Sequence, residues 1–106
     1  VTDGPVKRRA MTRSEIIEIL ARQGTVLAGL TLPPGALREK QIWNLLEAQG
    51  VTVPCGACQE PIAARQDCVR DHNIALRSIE EGLRAEYDKP WNQRYLCHPC
   101  NGTKTH

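Results

Sequence analysis

Two Cys-x2-Cys pairs constrain this chain more than anything else in it: Cys55-Gly56-Ala57-Cys58 and Cys97-His98-Pro99-Cys100. Each pair can form a tight knuckle that offers two thiolates to one ion. Two knuckles complete a tetrahedral shell, the arrangement that structural zinc prefers. Gly56 gives the first knuckle a residue without Cβ. A redox dithiol is the rival reading for either pair alone, disfavoured by two copies and by the lack of a thioredoxin-like βαβ pattern. Residues 59–96 must then hold other structure between the jaws of the clamp. His98 is an alternative ligand inside the second knuckle. Cys68 stands apart from the pairs and reads as a small buried core residue.

A staple is what a chain of this composition needs. It has 106 residues, 41% of them apolar, with no Phe, two Trp and two Tyr. That fits one compact domain with a thin aliphatic core, and thin cores often depend on a metal or a disulfide. No apolar run is long enough to span a membrane, and no signal-peptide core follows the basic start. The expected setting is cytoplasmic, where paired cysteines bind metal rather than form disulfides. Net charge is +2, a weak pointer to an anionic partner. Lys7, Arg8 and Arg9 cluster in residues 1–10, which read as a flexible basic terminus or a non-specific phosphate contact.

The expected fold class is α+β, with three parts. Residues 1–10 are the basic terminus, 11–50 a helical layer, and 51–106 a zinc-stapled core. Thr12 and Glu15 form a capping box ahead of Ile16, Ile17, Ile19 and Leu20, and Gly24 stops that helix. A second helix fits Gly35 to Gln49, with Leu37, Ile42, Trp43, Leu45 and Leu46 inward and Gly50 as its stop. The pair forms a layer under the core, or an arm presenting Arg38 and Lys40 to phosphates. Val51 to Pro54 is extended. A short strand is expected at Asp67 to Asp71, a helix at Ile74 to Tyr87 on Leu76, Ile79 and Leu83, and a strand at Asn92 to Cys97. A last helix begins near Pro99.

Chemistry-bearing residues lie between and just beyond the jaws. Asp71-His72 ends the first strand, Asn92 opens the second, and Asn101 and Lys104 follow Cys100. The order C-x2-C, Asp-His, Asn, C-x2-C-Asn-x2-Lys over Cys55 to Lys104 resembles the zinc-bearing branch of the HNH endonucleases. Residues before Val51 lie outside the resemblance. It implies a ββα-metal core, a hairpin and helix cradling one catalytic divalent ion, preceded here by two helices. It implies His72 as the general base that activates water, Asp71 and Asn101 as ligands of the ion, and Asn92 as the group that orients the loop and the His72 ring. Asn101 stands where the family more often has His, and an amide oxygen tilts the ion toward magnesium or manganese. Ile74 to Tyr87 replaces the family's Gly-rich turn.

The residues support that chemistry independently of the family. His titrates near neutrality and can take a proton from water. Two oxygen ligands leave open positions for phosphate and water. The positive end of the last helix suits an anion. Asp71 and His72 would leave a regular strand on opposite faces, so they can share a site only if the strand ends or bulges there. Lys104, Arg94 and Arg70 are candidate phosphate contacts, and His106 is read as an unimportant terminus. The expected partner is double-stranded DNA, in a bacterial, phage or mobile-element setting. The alternatives are a non-catalytic zinc ribbon that binds nucleic acid or protein, and a degenerate HNH fold.

Overall fold

The computed structural model describes residues 11–103, and shows a small α+β fold of four helices and two antiparallel two-stranded sheets. The basic run at Lys7 to Arg9, and Lys104 and His106, lie outside the described residues.

Helix α1 (Arg13–Arg22) opens with the expected capping box: Glu15 N–H donates to Thr12 Oγ1 and Thr12 N–H to Glu15 Oε1. Gly24 follows at φ +94°, a conformation that a Cβ disfavours. Helix α2 (Glu39–Ala48) begins four residues later than the spacing suggested. The segment before it is held instead by α1, because Arg13 Nη1 donates to the carbonyls of Pro33 and Gly35.

Strands β1 (Val53–Pro54) and β2 (Pro61–Ile62) pair to frame the first knuckle. Strands β3 (Cys68–His72) and β4 (Gln93–Cys97) form the second hairpin, in register from Cys68↔Cys97 to His72↔Gln93. Helix α4 (His98–Thr103) follows β4 directly and packs back on both strands.

The helical layer and the hairpins share one apolar cluster. Ile16, Ile19, Leu20, Ile42, Trp43 and Leu46 meet Val53, Cys55, Ile62, Cys68, Tyr95 and Leu96. Trp43 sets its edge against Tyr95 at 5.0 Å between ring centroids.

The outer edge of β4 would be a row of unpaired backbone groups. Here α1 and the knuckle cover it. Gln23 receives Tyr95 N–H at Oε1 and donates from Nε2 to the Tyr95 and Pro54 carbonyls, acting as a fragment of a third strand. Arg22 donates to the Gln93 carbonyl, and Gly56 N–H to that of Tyr95. A Cβ on Gly56 would lie 3.2 Å from Arg94 Cβ and 3.3 Å from the Tyr95 carbonyl oxygen. Close approach to β4, and not a left-handed turn, is why glycine stands there.

The helix expected over Ile74 to Tyr87 is not formed. The segment is two 3-10 turns, Leu76–Ser78 and Glu81–Leu83, followed by the one-turn helix α3 (Arg84–Tyr87). Side chains take carbonyls along this segment. Arg84 Nε donates to Leu76 and Ile79, and Asn92 Nδ2 to Ile74 and Tyr87. The apolar spacing misled because Leu76 is buried but Leu83 is exposed.

A candidate metal centre and a polar hairpin end

The four thiols of Cys55, Cys58, Cys97 and Cys100 lie within 4.8 Å of one another. Among the described residues this is the only convergent set of three or more His, Cys, Asp or Glu side chains. Cys58 Sγ and Cys97 Sγ are 3.7 Å apart. A disulfide needs about 2.05 Å, whereas four thiolates at about 2.3 Å from one tetrahedral ion stand about 3.8 Å apart. The cluster can therefore hold a structural metal ion, and its donor set suits zinc.

Charge at the cluster points the same way. Burial pushes the Cys55 thiol up, but N–H groups of Cys58, Cys97 and Ala57 together with the Cys97 side chain bring it down to about 6. Cys100 is held up at about 12 chiefly by the neighbouring thiols of Cys97 and Cys58. One thiolate is solvated by backbone donors, and further thiolates beside it need a cation. His98 is not in the set; its Nε2 lies 2.8 Å from the Gln66 carbonyl. Cys68 is buried in the core, and that burial raises its thiol to about 11.

His72 sits at the far end of the β3–β4 hairpin from the cysteines. It is buried, with Nε2 2.8 Å from Asp88 Oδ1. Facing a carboxylate, which only accepts, Nε2 is the ring nitrogen placed to donate. Gln93 Nε2 also donates to Asp88 Oδ1, at 3.3 Å.

Asn92 is buried with its amide fully used. Oδ1 accepts Ile74 N–H at 2.8 Å, and Nδ2 donates to the carbonyls of Ile74 at 3.0 Å and Tyr87 at 2.7 Å. The Asn92 carbonyl accepts Asn73 N–H at 2.8 Å. One side chain thus pins the start of the loop beside His72 to its end beside Asp88.

β3 ends at His72, but its pairing is regular to the last residue, with Asp71 opposite Arg94 and His72 opposite Gln93. There is no bulge. Asp71 and His72 therefore leave on opposite faces and share only the loop end of the hairpin. Asn101 lies one turn into α4, half-buried.

The phosphate candidates separate. Arg70 Nη1 is 2.8 Å from Glu39 Oε2, with a side chain only 12% exposed, which makes it a structural partner of α2. Glu39 also pairs with Arg65 at 2.9 Å and accepts Tyr95 Oη at 2.8 Å. Arg94 instead lines a cleft of about 330 Å³ beside β4, with Arg22, Gln59, Asn73 and Trp91. Sequence reasoning missed Asp88, Gln23 and Arg22, whose roles arise only from tertiary pairing.

Comparison with family models, curated proteins and solved structures gives no match to this chain.

Proposed function

We propose that the chain is a metal-dependent endonuclease of the HNH type that hydrolyses DNA phosphodiester bonds. The observation that carries this reading is the His72–Asp88 pair at the end of a hairpin whose loop Asn92 ties at both ends. Asp71 and Asn101 would hold magnesium or manganese, for which carboxylate and amide oxygens are apt donors. When bound, that ion supplies charge to stabilise the pentavalent phosphorus and the departing oxygen.

The remaining work falls to the chain's own groups. Asp88 holds the imidazole with its proton on Nε2. His72 Nδ1 takes a proton from water as the water oxygen bonds to phosphorus and the bond to O3′ breaks. General-base help of this kind is worth about 10²–10⁴-fold. A zinc ion held by the four cysteines would fix the start of the helix that carries Asn101, because Cys100 is its covalent neighbour.

A second reading, a zinc-binding module without catalysis, is favoured by one observation: His72 is only 5% exposed, which is how a structural imidazole sits. Incubating the zinc-loaded protein with supercoiled plasmid and a panel of divalent ions separates the two. The nuclease reading expects nicking with magnesium or manganese, lost in His72→Ala. Absence of nicking with every ion supports the binding module.

A further inference from the structure

The cleft beside β4 lies next to the proposed reaction centre but shares none of its catalytic groups. α1 contributes Arg22, the knuckle Gly56 and Gln59, the loop ends Asn73 and Trp91, and β4 contributes Gln93 and Arg94. Two guanidiniums border it. Arg22 is fixed by its bond to the Gln93 carbonyl. Arg94 has its stem against Gly56 and a buried Nε with no hydrogen-bond partner. Gln93 is 1% exposed, and its Oε1 is likewise buried without a partner.

Trp91 is 52% exposed in a chain with only two Trp and two Tyr. Its indole is not loose. Nε1 donates to the Glu86 carbonyl at 3.2 Å, and the ring meets Tyr87 edge-on at 5.3 Å. A fixed, half-exposed indole beside two guanidiniums has the chemistry of a nucleotide platform: stacking accepts any base, and the cations hold the backbone.

We infer that this cleft is a nucleotide subsite, in which Arg22 and Arg94 grip phosphate and Trp91 stacks on an unpaired base. This deepens the nuclease proposal and rests on it for the claim that the bound strand is substrate. It makes single-stranded DNA, or a frayed or flipped nucleotide, the form that the site engages. A closed duplex would reach the guanidiniums but not the indole.

The test uses zinc-loaded protein with no magnesium or manganese, titrated into fluorescein-labelled oligothymidylate and into a labelled duplex. The single strand should quench Trp91 emission, while buried Trp43 stays unquenched. Trp91→Leu should weaken single-strand binding by roughly tenfold and duplex binding little, and Trp91→Phe should restore most of it. Arg22→Ala should lower the salt slope of binding by about one. Equal single-strand affinity in the parent and in Trp91→Leu, at equal zinc content, overturns the inference. The nuclease reading stands or falls separately: oligothymidylate binding that depends on Trp91, in a protein that nicks no plasmid, keeps the subsite and removes the catalysis.

Discussion

His72 Nε2 and Asp88 Oδ1 meet at 2.8 Å, sixteen positions apart in sequence, with Asn92 fastening the loop that brings them together. The carboxylate selects which ring nitrogen keeps its proton. Asp88→Asn would present an amide N–H to Nε2 and move the ring proton to Nδ1, the position proposed to accept the proton of water. Cleavage should fall by about 10²–10⁴-fold, with fold and zinc content unchanged. Asp88→Glu should restore part of it. Single-turnover rates at matched zinc content read this, and parental rates in Asp88→Asn would remove Asp88 from the account.

Asn92 has a structural task that is independent of any activity. Asn92→Ala leaves the Ile74 and Tyr87 carbonyls without their side-chain donor. The expected cost is about 1–3 kcal/mol. Urea unfolding should show a lower midpoint, and limited proteolysis should cut first within residues 74–87. An unchanged midpoint would mean that the loop does not depend on this amide.

Glu39 predicts the acid limb of stability. Burial raises its pKa, but the Tyr95 hydroxyl, Arg70 and Arg65 outweigh burial and hold it below its ordinary value. A carboxyl with a depressed folded pKa contributes stability that is fully present above its unfolded value, near 4.5. That contribution is lost as pH falls through the folded value. Glu39→Gln should therefore be less stable than the parent at pH 7, by about 1–3 kcal/mol. The two should converge as the solution is acidified below that range. Thermal melts across pH give the comparison, and a constant difference at every pH would contradict it.

The cysteine cluster predicts one zinc ion per chain. Removing it with a strong chelator, or replacing Cys55 by Ala, should lower thermal stability sharply, because metal binding and folding are coupled in small zinc-stapled domains. Elemental analysis and a melt with and without chelator test this. A chain that melts identically without zinc would show the cluster to be dispensable.

How far the molecule was legible in its sequence depended on whether the signal was local. The Thr12–Glu15 cap and the α1 face are local, and they appear where expected. The four cysteines are legible because two Cys-x2-Cys pairs favour one shared ion over separate dithiols, and the four thiols do converge. Residues 74–87 were misread because a helical apolar spacing competes there with Arg84 and Asn92, whose side chains capture the backbone carbonyls. Arg70 is a phosphate candidate by sequence, and its pairing with Glu39 of α2 is visible only in the tertiary structure. Arg22 and Gln23 close the edge of a strand more than seventy positions away in the chain, a relationship that spacing along the sequence does not encode.

The most direct measurement compares plasmid cleavage by the parent and His72→Ala, both zinc-loaded, in magnesium and in manganese. Ion-dependent nicking by the parent and none by the variant is the expected result, at equal zinc content and with the variant still melting cooperatively. A variant that nicks as fast as the parent would contradict it.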